Sequence, residues 1–494
     1  MLALKAALLL LPASCTAVST SSRHGTLRVS PNVSALPGLC DTVPQTAGYF
    51  DISGTKNAHY FYWSFAARSG KADAPTILWM TGGPGCSSGI ALFHENGPCK
   101  INSDHKTTSL NPWSWNDEAN IVFIDQPAGV GFSYGDSGDE AHDEAGVAKD
   151  MVAFLEAYSA ANNDVLKRNE FFIFGESYGG HYAPATAAAV VETSDLNLVG
   201  LGVGNGLTDP AVQYPKYGEM AYNWSIAVQG HPTISLAAYE AMEEEVPACV
   251  ASIEACQADT SKCAESQNVC NNAQIGPYEQ TGLNPYDIRV KCAVPPLCYD
   301  FSDVEDFLDL PTTRAALGVS ETTPWQSCNY TVNGMVRASS SQCSVENTRF
   351  FFFFFFAASR FYPTPFAVTK SDNISLPLLM MTQFANDWMK TMKTHVSDVL
   401  AKGVRVLIYA GDVDFICNWL GNKAWTLALD FPGHAAFNAE GDHNNSTTVS
   451  GTTARSSGNF TFLQVHAAGH MVPLDQPQVA QEMVNNFLTN GKWY

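Results

Sequence analysis

Short apolar runs that stop abruptly at Gly or Asp recur along the chain. They include "TILWM" before Thr81-Gly82-Gly83, "NIVFID" before Gln126 and "FFIF" before Gly175. "LVGLGVGNG" around Val203, "VRVLIYAGD" ending at Asp412 and "FTFLQVHAAGH" ending at His470 continue the series. Unbroken β-branched and aromatic runs of this length fit strands buried on both faces, hence a mainly parallel sheet covered by helices. "AGVAKDMVAFLEAYSAA", residues 145–161, carries apolar residues at helical spacing and predicts one such helix; "HYAPATAAAVVE" after Gly180 predicts another. The alternation predicts an α/β fold.

Between about 209 and 387 the texture changes. Cysteines, prolines and polar residues cluster and the strand runs disappear. This divides the chain into a sheet core of 18–208 and 388–494 and an inserted cap of 209–387. Within the cap, 336–383 stands apart because it holds seven consecutive phenylalanines, 350–356. So apolar a homopolymer has neither helical nor strand amphipathicity. It reads as a hydrophobic lid hairpin or as a translated intron whose pyrimidine-rich end encodes Phe, and the second reading is preferred. Sequencing the mature transcript decides between them.

The first residues, "MLALKAALLLLPASCTA", combine one Lys, a short apolar run and small residues at Cys15 and Ala17. They predict a secretory signal peptide over 1–17, rather than a buried first helix, and the run is too short to span a bilayer. Sequons at Asn32, Asn223, Asn329, Asn373, Asn445 and Asn459 agree with a secretory route. So do the 13 cysteines, which in a secreted chain imply disulfides. Cys249, Cys256, Cys263 and Cys270 are spaced by seven, without the CxxC pairs or nearby histidines of a zinc site. A formal net charge of −21 argues against nucleic acid as a partner. No later run is long and apolar enough for a membrane span.

Candidate chemistry begins where "FFIF" meets Gly175-Glu176-Ser177-Tyr178-Gly179. A serine between two glycines after a strand allows a sharp turn that lifts the hydroxyl above the sheet edge, with the next N–H aimed at a reacting carbonyl. A hydroxyl needs a base. "YAGDVDFICNW" offers Asp412 and Asp414, and "AAGHMVP" offers His470. Ser, Asp, His is the chain order of an α/β-hydrolase triad, and spacing does not separate the two aspartates. The paired glycines of "WMTGGPGCSS" can bring a backbone N–H to a developing oxyanion.

These motifs resemble the serine carboxypeptidases, especially the carboxypeptidase Y group. The matching blocks are "WMTGGPGCSSGIALFHENGP", "NIVFIDQPAGVGFSY", "GESYGGHYAP", "GNGLTDP", "CNNAQIGPYEQTGLNPYDIR", "AGDVDFICNWLGNKAW" and "GHMVP". The resemblance implies an α/β-hydrolase domain with a disulfide-bearing cap. It implies Ser177 as nucleophile, His470 as base and Asp414 as acid, with Gly83 and Tyr178 giving the oxyanion N–H groups. It places Glu95 and Glu176, with Trp79, Thr81 and Gly82, where the family binds a peptide's terminal carboxylate. Burial and mutual repulsion should raise such carboxyls, so that a protonated one donates to the substrate at mildly acidic pH. At position 81 the family usually has Asn. The Thr hydroxyl donates one hydrogen bond from a shorter side chain, for an expected weakening on the order of 1 kcal/mol. Family-like pairing implies Cys86–Cys328, Cys249–Cys270, Cys256–Cys263 and Cys292–Cys298, with Cys417 a free thiol near the site beside Met471. Cys15 leaves with the signal and Cys343 lies in the odd segment, so Cys40 and Cys99 are expected to pair.

The resemblance therefore implies an exopeptidase acting on peptide and protein C-termini through an acyl-enzyme, without cofactor or metal. Vacuole, lysosome or extracellular space is the expected location, as a monomer or a homodimer. An acyltransferase using the same triad is the nearest alternative. A non-catalytic protective scaffold is a different class, disfavoured by the intact triad.

Overall fold

The computed structural model describes residues 20–22, 25–29, 39–320, 325–329, 384–444 and 449–494. The expected signal peptide 1–17, the 336–383 segment, Cys343 and the sequons at Asn32, Asn373 and Asn445 lie outside these residues.

One twelve-stranded sheet organises the described chain. Its strands are β1 (Thr20–Ser22), β2 (Gly25–Val29), β3 (Gln45–Asp51), β4 (His59–Phe65), β5 (Thr76–Met80), β6 (Asn120–Ile124), β7 (Phe171–Glu176), β8 (Leu198–Gly204), β9 (Arg405–Gly411), β10 (His443–Asn444), β11 (Thr452–Ser457) and β12 (Phe460–Val465). The spatial order is β1-β2-β3-β4-β6-β5-β7-β8-β9-β12-β11-β10. The middle of the sheet, from β6 to β12 in that order, is parallel. Both flanks are antiparallel.

The apolar runs become central strands because both of their faces are covered. The helices include α1 (Gly89–His94), α2 (Glu144–Ala161), α3 (Gly179–Thr193), α4 (Leu236–Ala258), α5 (Cys263–Cys270), α6 (Lys393–Ala401) and α7 (Pro477–Leu488). Side chains alternate across a strand. Accordingly Leu78, Ile173, Val203 and Ile408 join one core with Met151 and Phe154 of α2 and Ala183 and Val190 of α3. Trp79, Phe172, Phe174 and Tyr409 join the other with Ile90 and Phe93 of α1 and Met483 and Phe487 of α7. Each fully buried ring or aliphatic chain contributes about 1.5–3 kcal/mol of transfer free energy.

The antiparallel flanks of the sheet and the inserted segment depart from the sequence reading. β3 and β4 extend the sheet where no strand was expected: "HYFYWSF" is buried throughout, yet it lacks the terminal Gly or Asp that marks the central strands. The segment after β8 also holds an antiparallel ribbon, Leu283–Asn284 against Asp287–Lys291, within the stretch read as strand-free.

In that segment Cys249 and Cys256 lie on α4, and Cys263 and Cys270 bound α5. Seven residues are close to two helical turns, so each pair presents both sulfurs on one face. The helices are clasped by nested bonds, Cys249–Cys270 and Cys256–Cys263. Cys292–Cys298, Cys86–Cys328 and Cys40–Cys99 complete the described disulfides. Asn223 and Asn459 are exposed and Asn329 is half-buried. Among the described residues no helix is long and apolar enough to cross a membrane.

Candidate active site

Four loops meet at the carboxyl ends of the parallel strands. The first is the turn from β7 into α3. Ser177 occupies the left-handed region with φ of 63°, a conformation that costs a non-glycine residue about 1–3 kcal/mol and is held only by its surroundings. Its N–H donates to the Gly204 carbonyl at 3.1 Å, and its carbonyl accepts from Gly180 and Leu207, both at 2.9 Å. The glycines are needed for closeness: a Cβ on Gly175 would sit 2.4 Å from the Gly179 oxygen. Ser177 is thereby fixed and half-buried at the strand end.

The second and third loops follow β9 and β12. His470 Nδ1 donates to Oδ2 of Asp414 at 2.9 Å, and both residues are buried. That bond leaves Nε2 as the nitrogen able to take a proton. The His470 N–H donates to the Tyr286 carbonyl at 2.8 Å, and the two rings meet edge-on at 5.0 Å. Asp414 is held in turn by Ile416 N–H at 3.1 Å and Cys417 N–H at 3.2 Å. Asp412 is engaged elsewhere, accepting from His466 at 2.9 Å and from Ala467 N–H at 2.8 Å. The ambiguity left by the sequence is therefore resolved by geometry: Asp414, not Asp412, is the partner of His470.

The fourth loop follows β5. Gly82 lies against the serine turn so tightly that a Cβ would stand 2.4 Å from the Tyr178 nitrogen and 2.5 Å from the Glu176 oxygen. Gly83, with φ of 114°, follows it. Trp79 donates from Nε1 to the Thr81 hydroxyl at 3.0 Å. With that oxygen serving as acceptor, the Thr81 proton remains available to another group.

One cleft is lined by Thr81, Gly82, Gly83, Glu176, Ser177, His470 and Met471, with an opposite wall of Tyr286, Leu297, Tyr299 and Phe301. Glu95 lies behind it, fully buried. Among the described residues neither Glu95 oxygen meets a hydrogen-bond donor at ordinary distance, and its carboxyl neighbours that of Glu176. Burial raises both carboxyls above the usual range, Glu176 by more, since Glu95 adds like-charge repulsion. The free Cys417 thiol is buried beside Ser177, and burial together with Asp414 and Glu176 pushes it well up, away from thiolate chemistry.

The structure thus brings Ser177, Asp414, His470, Gly83, Tyr178, Trp79, Thr81, Gly82, Glu176, Glu95, Cys417 and Met471 into one neighbourhood. The sequence reading missed Asn205. It follows β8 directly, adopts φ of 40°, donates from Nδ2 to Asp414 at 2.8 Å and accepts from Gly411 N–H at 3.0 Å. "GNG" after a strand reads as an ordinary turn, and the signals that could have drawn notice were its place beside three other strand-end motifs and the family-like block "GNGLTDP" that contains it. Of the wall residues, Tyr286 lies in a quoted family-like block without a role assigned to it, and Leu297, Tyr299 and Phe301 carried no local signal.

The family model described as serine carboxypeptidase matches residues 37–353 and 369–490, and the gap falls in the Phe-rich segment. A carboxypeptidase Y homolog A from Ajellomyces dermatitidis is 38% identical over 466 residues, covering 92% of this chain and 75% of the relative. Serine carboxypeptidase-like 49 from Arabidopsis thaliana is 36% identical, covering 94% of this chain and 80% of its own. The solved Kex1(delta)p structure from Saccharomyces cerevisiae, a prohormone-processing carboxypeptidase, shares the fold with a TM-score of 0.70 at 24% identity, over 93% of this chain and 94% of that one. A sheet of this order, a serine on a sharp strand-helix turn and a match spanning both halves of the chain lead to one conclusion: this chain belongs to the serine carboxypeptidase family of hydrolases.

Proposed function

We propose that this carboxypeptidase releases single C-terminal residues through an acyl-enzyme on Ser177, with His470 as general base and Asp414 as its orienting acid. The observation that carries the assignment is the buried His470–Asp414 hydrogen bond of 2.9 Å, set in the cleft that also presents Ser177. Asp414 fixes the imidazole tautomer, so Nε2 takes the serine proton as Oγ attacks the scissile carbonyl. The N–H groups of Gly83 and Tyr178 receive the oxyanion. His470 then returns the proton to the leaving amino acid, and water repeats the sequence to free the shortened peptide.

Exopeptidase selectivity comes from Glu95 and Glu176 with the Thr81 hydroxyl, the Gly82 backbone and Trp79 as support. A raised, protonated carboxyl donates to the substrate's terminal carboxylate, while an ionised one repels it. Peptidase activity therefore favours mildly acidic pH. Five disulfides and the exposed sequons at Asn223 and Asn459 support passage through the secretory route to a vacuole, lysosome or the exterior.

Fluorophosphonate labelling with mass-spectrometric site mapping tests the assignment, run beside release assays on a peptide acid and its C-terminal amide. Labelling on Ser177 with preferential cleavage of the acid at pH 5 is expected. Equal cleavage of acid and amide would remove the carboxylate-capture reading.

A further inference from the structure

Tyr178 follows the nucleophile directly, and its side chain is buried in an aromatic box. Ring centroids stand at 4.5 Å from His181, 5.1 Å from Tyr182, 5.8 Å from Phe384 and 5.4 Å from Trp388. Its hydroxyl donates to Oδ2 of Asp387 at 3.4 Å. Asp387 belongs to a strap, 384–392, whose far end is tied to the disulfide-clasped α4. Lys390 donates to the Cys256 carbonyl at 2.7 Å, and Gln257 Nε2 donates to the Met389 carbonyl at 2.6 Å.

Facing Asp387 is Glu144, the first residue of α2, which is 3% exposed. Among the described residues neither of its carboxyl oxygens reaches a hydrogen-bond donor at ordinary distance. Tyr182 lies within electrostatic reach of the same two carboxyls. Its hydroxyl accepts from the Gly85 N–H at 3.3 Å, in the loop that carries Gly83. Both backbone segments assigned to the oxyanion therefore rest on tyrosines, Tyr178 bonded to one of a pair of buried acids and Tyr182 within electrostatic reach of both.

A carboxylate without donors, as at Glu144, is costly to bury, and a second beside it adds to the cost even though Asp387 accepts from the Tyr178 hydroxyl and the Glu144 N–H. The strain is relieved when the pair keeps a proton, which one carboxyl donates to the other. Burial raises Glu144 well above the ordinary range and Asp387 to about 7, with Asp143 adding repulsion to both. Lys390 opposes the shift on Asp387. From α3 no cation answers a second negative charge: burial lowers His181 to about 4, leaving it neutral, and its Nδ1–H donates to the Leu207 carbonyl at 2.6 Å.

We propose that Glu144 and Asp387 are positioning residues for the oxyanion site, holding Tyr178 and the N–H beside Ser177 in place only while the pair retains a proton. This rests on the catalytic reading above and adds to it a second acid pair, separate from Glu95–Glu176 and acting on the reacting centre rather than on the substrate terminus. Once the pair is fully ionised, its members repel one another, and Asp387 takes with it the anchor of the Tyr178 hydroxyl.

Fluorophosphonate labelling isolates this effect, because the reagent has no terminal carboxylate and does not need Glu95 or Glu176. The second-order labelling rate is measured from pH 5 to 9 for the wild type, Glu144→Gln and Asp387→Asn, each scaled to its own maximum. Both substitutions remove an ionisation, so the falling alkaline limb moves up by about one pH unit relative to wild type. Asp387→Ala, which removes the acceptor, lowers the maximum rate about tenfold, and peptide KM stays near the wild-type value. A limb that stays in place in both folded neutral variants overturns the proposal. If neither folds, Tyr178→Phe decides: labelling slowed about tenfold upholds the anchor, and a wild-type rate overturns it. A wild-type protein that fails to label overturns the functional reading itself, and this inference with it.

Discussion

Asn205 donates from Nδ2 to Oδ2 of Asp414 at 2.8 Å, the same oxygen that accepts from His470. A residue at the end of β8 thus helps to orient a carboxylate on the loop after β9, and through it the His470 imidazole. Its other end is fixed by the Gly411 N–H, so the amide cannot turn without leaving a buried donor unpaired.

Asn205→Ala is expected to lower kcat about 10- to 100-fold, the loss of one hydrogen bond to a charged group, and to leave KM within about twofold. Steady-state kinetics on a peptide acid checks this. A change confined to KM would assign Asn205 to substrate binding instead.

The two neighbouring aspartates should separate cleanly. Asp414→Asn leaves the geometry but disturbs the His470 tautomer, so kcat should fall about ten-thousand-fold. Asp412→Asn loosens its hold on His466 and Ala467. It should cost about 1–2 kcal/mol of stability with kcat within about threefold of wild type. Kinetics and thermal denaturation of the two variants together give the answer.

For Glu95 and Glu176 the pH dependence has a definite sign. Their raised folded values mean that they keep protons beyond the ordinary carboxyl range. Both donation to a substrate carboxylate and the linked stability are present at low pH and are lost as pH rises towards those values. KM for a peptide acid should therefore climb with pH, while KM for the matching amide stays flat. Glu176→Gln, neutral at every pH, should flatten the first curve to within about twofold between pH 5 and 7. A profile as steep as wild type would shift the role to another group.

At position 81 the hydroxyl already accepts from Trp79, so its own proton is the one available to a substrate. Thr81→Val should raise peptide KM about fivefold, and Thr81→Asn should lower it by a similar factor, each close to 1 kcal/mol, about the net worth of one hydrogen bond. Stopped-time assays of KM on both variants provide the comparison.

Much of this candidate site can be read along the chain because parallel strands buried on both faces leave unbroken apolar runs, and the candidate residues sit where those runs end. "FFIF" into Ser177, and the strand before His470, needed no tertiary information. Other elements were silent for physical reasons. β4 is as buried as β7, but it is an antiparallel flank without a catalytic turn, so nothing punctuates it. Asp412 and Asp414 are equivalent in spacing, and only the fold hands them different histidines. Glu144 looks like the acidic residue any helix start favours; its burial against Asp387 depends on a strap far along the chain.

Cys86 sits in the glycine-rich loop after β5, and its bond to Cys328 closes one side of the cleft. The loop that carries Gly82 and Gly83 is thereby cross-linked to a segment 242 residues further along the chain. With the bond intact, the loop is held against the serine turn. Reduction removes that tether, and slower peptide release by the protein carrying Cys86→Ser and Cys328→Ser together is the expected outcome, read beside its thermal denaturation.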